Sequence, residues 1–417
     1  MITLVALCAL GAEKILANEI KMLGYKPVGN APGRVTYTCD EDGMFRSNLC
    51  LRTADRVYLQ LARFDADNFD VFFDGVFTIN WQDYFKKDTR VVVDKIRTYK
   101  SKLNSEHTIQ GMTHKAIYKK LGQVWNMDVL PESGKEATVR VYIDKDEVLV
   151  LLDLSGDPLH KRGYRTEGGG APLRETLACA MLQQMCWRRK TPLHDPFCGS
   201  GTIASEAALY AYNVAPGFGR HFAIEDLPIF NQQRAVETKK TEAAKIRPDA
   251  VARITGTDID PVAIERARGN VERACVTAGR ALQLIGSDAR IQRPDFDVAD
   301  FYDLEAPYDT GLILTNPPYG ERLGDKEQAE QLYQQFPALF NAFPGWEMGF
   351  ITANENFESL VGKKANASKE LKSGNLDTRF YMYTLIRPTH ETTGKDNRKE
   401  TYLKERDKEK KREQSKE

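Results

Sequence analysis

The chain has 417 residues, room for roughly two or three domains, with 59 Lys and Arg set against 59 Asp and Glu. That balance excludes a polyanion binder acting through overall charge, so any nucleic-acid surface must come from local clustering. Seven scattered cysteines without a Cys-x-x-Cys pair point to a reducing cytoplasm, six histidines form no metal-spaced group, and no stretch reaches the roughly 18 apolar residues of a membrane span.

Met1 to Ala12 is apolar but lacks the basic flank of a signal peptide. It predicts a short strand, then an amphipathic helix through Ile15, Leu16, Ile20 and Leu23 that ends at Gly24. Val35–Tyr37 is a strand after the Pro32-Gly33 turn. Gly43 to Leu61 reads as a helix on Phe45, Leu49, Arg52 and Ala54. Arg90 to Asp94 is a strand, and Ser105 to Leu121 a helix with Ile109, Met112, Ala116, Ile117 and Leu121 on one face. Thr138 to Ile143 alternates and pairs with Val148 to Leu152 across Asp144-Lys145-Asp146. Residues 1 to about 155 carry no nucleotide motif. They do carry charge: Lys86 to Lys120 holds ten Lys or Arg against three acids. Lys87, Arg90, Lys95, Arg97, Lys100 and Lys102 are interleaved with Tyr84, Phe85 and Tyr99. Such a segment either neutralises several phosphates without reading sequence or is a lysine-protected sheet edge.

The segment Arg97-x-Tyr99-Lys100-Ser101-Lys102-Leu103-Asn104-Ser105, with Thr108-Ile109-Gln110 and Lys115-Ala116-Ile117 behind it, resembles the THUMP domain of RNA-modifying enzymes. The resemblance covers residues 44–155, and residues 1–43 resemble the ferredoxin-like lobe that accompanies it.

A basic junction, His160 to Arg165, and the breaker Glu167-Gly168-Gly169-Gly170 lead into a helix from about Pro172 to Trp187. It reads as an interdomain linker, or as the lid and floor of the next domain's site. Leu193-His194-Asp195-Pro196-Phe197-Cys198-Gly199-Ser200-Gly201-Thr202 then predicts a strand, a glycine turn and a helix to Tyr210. Two glycines let a ligand approach the backbone, and the helix N-terminus suits a carboxylate or phosphate. A dinucleotide fingerprint is disfavoured because Ala204 holds the third glycine position. The next strand-end acid also lies far beyond the expected interval of about twenty residues. A P-loop is excluded because no Gly-Lys-Ser/Thr follows.

Arg253 to Asp258 is a strand whose terminal carboxylate could accept both ribose hydroxyls of an adenosine. Pro261 opens a helix to about Ala278. Leu282 to Ala289 reads as a third strand, ending in Asp288, which could accept from an adenine amine. Gly311 to Leu314 is a buried parallel strand stopped by Asn316-Pro317-Pro318-Tyr319, and Trp346 to Ala353 is a fifth strand. Each acid alone could be a helix N-cap, and Asn316 a turn residue. Together they suit methyl transfer to an exocyclic amine. The Asn316 side-chain oxygen and the Pro317 carbonyl could accept its two hydrogens, while Tyr319 offers a ring for stacking. Segment 210–250, with Arg220, His221 and Phe222, could shape the base pocket or cover the sheet. His390 to Glu417, with ten basic and eight acidic residues, reads as a solvated, disordered tail.

This order resembles the class I S-adenosylmethionine (SAM)-dependent methyltransferases. The segments Lys161–Arg165, Ala171–Ala178, Ala215–Arg220 and Asn316–Arg322 narrow it to the bacterial guanine-N2 methyltransferases of 23S rRNA. The resemblance implies a Rossmann-like seven-stranded α/β sheet at 156–390, preceded by the α+β ferredoxin-like/THUMP region and followed by a tail at 391–417. It implies SAM held by Asp195, Phe197, Gly199, Ser200, Gly201, Thr202, Asp258, Ile259, Asp288, Ala289 and Asn316, catalysis by Asn316, Pro317 and Tyr319, an RNA partner and no metal. Some relatives carry a second methyltransferase domain, and the expectation here is the form without it. Alternatives are a tRNA guanine, DNA adenine-N6 or protein-glutamine methyltransferase, and a non-catalytic RNA-binding assembly factor.

Overall fold

A computed structural model describes residues 1–94, 96–165, 173–319, 325–373 and 376–385, which form two sheets. The first is built from β1 (Ile2–Cys8), β2 (Lys26–Ala31), β3 (Arg34–Cys39), β4 (Ala54–Asp65), β5 (Arg90–Val93), β6 (Arg97–Tyr99), β7 (Glu136–Asp144) and β8 (Glu147–Asp153). Its order is β2-β3-β1-β4-β8-β7-β5, with β6 also on β7. Helices α1 (Glu13–Met22), α2 (Glu41–Cys50), α3 (Phe69–Phe77) and α4 (Glu106–Trp125) accompany it. The turn between β7 and β8 is set by Lys145 and Asp146, both at positive φ, the geometry of a tight hairpin. The Ser105 side chain caps α4 by accepting from the Thr108 N–H. β1 pairs antiparallel with β4, Leu4 opposite Leu59, so residues on both sides of position 43 share one sheet.

The expected helix over Gly43–Leu61 is corrected: α2 stops at Cys50 and residues 54–65 are the long strand β4. β4 lies between β1 and β8, so pairing on both edges outweighs local helix propensity. Val57 and Tyr58 are fully buried there.

The second sheet contains β9 (Leu193–Asp195), β10 (Ile254–Asp258), β11 (Asp295–Val298), β12 (Leu312–Thr315), β13 (Glu347–Thr352), β14 (Ala367–Ser373) and β15 (Leu376–Tyr383). Its order is β11-β10-β9-β12-β13-β15-β14. The first five strands run parallel, and β15 is antiparallel to β13 and β14. Helices α5 (Glu175–Gln184), α6 (Thr202–Ala211), α7 (Gln232–Ala243), α8 (Pro261–Gln283), α9 (Asp325–Gln334), α10 (Phe336–Ala342) and α11 (Phe357–Val361) belong to this half. Strand order reverses between β9 and β12, and open α/β sheets bind ligands at such a switch point. Phe336, Phe350, Phe357 and Tyr333 form an aromatic core beside β12 and β13.

The expected strand over Leu282–Ala289 is also corrected. Helix α8 runs on to Gln283, and Leu284 and Ile285 follow it exposed. The strand that pairs with β10 is Asp295–Val298. The apolar Leu282-Gln-Leu-Ile run belongs to the helix end because Ala278, Ala281 and Leu282 continue its buried face.

The 210–250 segment docks the first sheet onto the second. Phe45 meets Phe222 edge-on at 5.7 Å, and Arg46 bonds Glu242 at 2.7 Å. The Gly217 N–H donates to the Leu49 carbonyl at 2.9 Å; a Cβ on Gly217 would stand 2.8 Å from Leu49 Cα. Beneath this contact Glu206, fully buried, accepts from the Tyr164 hydroxyl at 3.0 Å and lies 3.5 Å from Arg162 Nε. Arg162 in turn donates to the Arg52 carbonyl.

Candidate active site

The C-terminal ends of β9, β10 and β12 bring together most residues singled out in the sequence. Asp195 is buried. Its Oδ1 accepts from the Thr315 hydroxyl at 2.6 Å and from the Phe197 N–H at 3.2 Å. Burial pushes its carboxyl up to about 7, opposed by those two bonds and assisted by the charge of Asp258. Asp258 Oδ2 accepts from the Gly199 N–H at 2.9 Å, and its Oδ1 from the Asp260 N–H at 3.0 Å. The glycine loop is therefore tied to the next strand end. The Ser200 carbonyl accepts from Asn270 Nδ2 at 2.9 Å.

Gly199 and Gly201 take φ of 51° and 75°, left-handed values that favour glycine. A Cβ on Gly201 would meet Ala267 Cβ at 2.9 Å, whereas one on Gly199 meets nothing within 4 Å. Gly201 thus packs the loop on α8, and Gly199 leaves room for a ligand above it. Helix α6 begins at Thr202 with neither a capping side chain nor an acid in its first turn. Arg165 also reaches this end, donating to Thr202 Oγ1 at 2.5 Å while pairing with the buried Glu175 at 3.3 Å. An uncapped N-terminus beside a guanidinium suits a carboxylate. Ile259 is 70 % exposed beside Asp258, an apolar surface on which a purine can lie.

Asp288 and Ala289 do not join this group. They lie between α8 and the start of β11, on the approach to that strand, at the opposite end of a parallel sheet from Asp195 and Asp258. The chain leaves β11 instead at Ala299-Asp300-Phe301. The Ala299 N–H donates to the Asp258 carbonyl at 3.2 Å, and Phe301 packs 5.3 Å from Phe197. Asp300, not singled out in the sequence, is therefore the acid at the third strand end. Its signal was the short Asp-Phe-Asp-Val alternation before it.

At the end of β12, Thr315 and Pro317 are buried and Asn316 is partly exposed. The Tyr333 hydroxyl donates to the Pro318 carbonyl at 2.8 Å and also pairs with Thr352 at 2.9 Å, anchoring the turn to β13. Among the described residues nothing hydrogen-bonds the Asn316 side chain or the Pro317 carbonyl. Gly320, Glu321 and Arg322 lie outside the described residues.

Of the basic residues, Lys87, Arg90, Arg97, Lys100 and Lys102 are exposed along the β5–β6 edge, and Lys95 lies outside the described residues. Arg90 and Lys102 make exposed ion pairs with Glu136 and Asp67, worth little in water. Tyr99 is exposed, with Lys100 Nζ 5.2 Å from its ring centre. Phe85 is not part of this surface: it is buried and stacked on Trp81 at 5.5 Å. A cleft of about 1060 Å³ separates this sheet from the catalytic half, with Val92, Lys135 and Thr138 on one wall and Lys161, Arg165 and Arg220 on the other.

A doubly wound sheet of this order, with an open glycine loop, strand-end carboxylates and Asn-Pro-Pro-Tyr at the switch point, defines a class I SAM-dependent methyltransferase. Residues 162–381 match the RMKL-like methyltransferase domain, and residues 3–58 match the RlmL ferredoxin-like domain. The chain belongs to the RMKL-like methyltransferase family. It is 38 % identical to the "Putative RNA methyltransferase YpsC" of Bacillus subtilis, over 94 % of this chain and 98 % of that one. It is 30 % identical to the "Ribosomal RNA large subunit methyltransferase K/L" of Marinomonas, covering 91 % of this chain and spanning 52 % of that enzyme. Among solved structures, a "possible methylase" from Clostridium difficile 630 superposes with a TM-score of 0.84 at 37 % identity, covering 93 % of this chain and 99 % of that one. SMU.472, "a putative methyltransferase complexed with SAH", does so with a TM-score of 0.80 at 33 % identity, covering 93 % and 98 %. No helix among the described residues is long and apolar enough to cross a membrane.

Proposed function

We propose that this chain methylates the exocyclic N2 amine of a guanosine in 23S rRNA, in the cytoplasm. The observation that carries the reading is the placement of Asn316 and Pro317. Two acceptors without protein partners among the described residues stand at the switch point, one residue beyond the Thr315–Asp195 bond. The names of the relatives favour RNA, and the resemblance of the Asn316–Arg322 segment favours guanine. In this reading residues 44–155 act as a THUMP domain, with 1–43 as its ferredoxin-like companion and 391–417 as a tail. Lys87, Arg90, Lys95, Arg97, Lys100 and Lys102 hold phosphates along the edge of the first sheet. The cleft leads from that sheet to Arg165 at the cofactor loop.

Asp195 Oδ2 and the α6 N-terminus receive the methionyl part of the cofactor, Asp258 the ribose, and Ile259 with Asp300 the adenine. Bound there, the cofactor supplies an activated methyl carbon, so the protein's task is orientation. The base leaves its stack and lies on Tyr319. Asn316 Oδ1 and the Pro317 carbonyl accept the two N2 hydrogens and direct the nitrogen lone pair outward. No strong base is needed, because the amine proton becomes acidic only after methylation.

Mass mapping of methylated guanosines in rRNA and tRNA from a deletion strain tests this. Loss of one N2-methylguanosine in 23S rRNA, restored by the wild-type gene and not by Asn316→Ala, is expected. Loss confined to tRNA guanosines would replace the proposed substrate.

A further inference from the structure

Away from the cofactor loop, two arginines stand over the ring of Tyr210, in the last turn of α6, and a third lies near them. Arg189 stands 4.7 Å from the ring centre and Arg52 5.5 Å. Arg247, whose N–H donates to the Tyr212 carbonyl at 2.9 Å, is the third, and its charge, with that of Arg52, adds to burial in pulling the Arg189 guanidinium below its ordinary value. No ion pair among the described residues engages any of the three. Arg52 is 92 % buried by the 8 % exposure of its surface, and one amino group, Nη1, has no hydrogen-bond partner. Its other amino group donates to the Val214 carbonyl at 2.7 Å. Arg188 and Lys190 flank Arg189 and are exposed, as is Arg247.

Stacking on tyrosine compensates part of this arrangement, yet like charges gathered without a carboxylate repel one another. Native structures normally pair such groups. We infer that Arg189 and Arg247, backed by Arg52, form a second phosphate-binding site that takes a backbone phosphodiester of the RNA substrate. The site rests on the reading of RNA as substrate. It is not where the reacting nucleotide sits: Tyr210 is eight residues beyond Thr202, about 12 Å along the helix from the cofactor loop. The contact is therefore to backbone well removed from the target base, and it anchors RNA on the catalytic half independently of the β5–β6 edge.

Filter binding of purified 23S rRNA across a salt series, with the full chain, tests the site. Arg189→Gln/Arg247→Gln is expected to weaken binding about three- to tenfold and to lower the salt slope by about one to two phosphates. SAM affinity should hold, the KM for RNA should rise with kcat nearly kept, and the melting temperature should stay or increase as repulsion is relieved. Arg189→Lys/Arg247→Lys should recover most of the binding. A double variant with wild-type affinity and slope overturns the proposal. Arg97→Gln/Lys100→Gln serves as the comparison. If that variant loses slope and the Arg189/Arg247 variant does not, this site alone falls; if the wild-type chain binds no RNA, the substrate reading falls with it. Millimolar inorganic phosphate that stabilises the wild type but not the double variant, with RNA binding equal in both, would assign the site to a free ion and likewise overturn the proposal.

Discussion

The Thr315 hydroxyl donates to Asp195 Oδ1 at 2.6 Å across the switch point, joining residues 120 apart in sequence. One bond thus links the carboxylate at the end of β9 to the residue preceding Asn316. It also moderates a carboxyl that burial pushes up to about 7. If ionised Asp195 holds the ammonium of the methionyl part, SAM affinity falls about tenfold per pH unit below about 7, and falls again above about 8 as the ligand's own α-amino group loses its proton. Thr315→Val removes the bond, raises the carboxyl further and moves that break toward alkaline pH. Calorimetric titration with SAM between pH 5.5 and 9, values of about that range, checks both. An affinity flat through this range rules the role out. Without cofactor the sign is opposite. A raised carboxyl favours the folded state below its ordinary value, and this contribution is lost as pH rises through about 7.

The two glycines of the loop should separate folding from binding. Gly201→Ala places a Cβ 2.9 Å from Ala267 at a left-handed φ, so it should cost about 2 kcal/mol or more of stability. Gly199→Ala meets no protein atom within 4 Å and should cost only about 1 kcal/mol. Its methyl occupies ligand space, so SAM affinity should fall at least about tenfold. Chemical denaturation and calorimetry on both variants provide the comparison, and equal losses in both assays would contradict it.

The corrected third strand predicts which acid matters. Asp300→Ala should weaken SAM binding by about 1.5–3 kcal/mol, the scale of a lost hydrogen bond to a charged group. Asp288→Ala, on the approach to β11, should leave it unchanged. The reverse result would return the adenine contact to Asp288.

Asn316→Ala should abolish methyl transfer while SAM affinity stays nearly intact, because the side chain acts on the incoming amine. Tyr333→Phe removes the hydroxyl that donates to the Pro318 carbonyl and pairs with Thr352. It should lower kcat about ten- to a hundredfold through misplacement of the turn, again with SAM binding kept. Single-turnover rates measured at saturating SAM decide both, and a parallel collapse of SAM affinity would mean that these residues build the cofactor site.

The sequence by itself determined the two halves of the chain and three of the strand ends. Asp195, Asp258 and Asn316 were legible because each closes a short strand-like run and is followed within three residues by a proline, Pro196, Pro261 or Pro317, where backbone chemistry allows few continuations. It did not locate the third end. Leu282–Ile285 has strand composition, and only the packing of α8 shows that its buried face runs through Leu282. Nor could it divide residues 43–61, where β4 is a strand because β1 and β8 flank it. The Thr315–Asp195, Arg165–Thr202 and Tyr333–Pro318 bonds, and the gathering of Arg52 and Arg189 on Tyr210 with Arg247 near them, were decided by tertiary structure alone. Periodicity reports which face of an element is buried, whereas these contacts depend on which elements come to face one another.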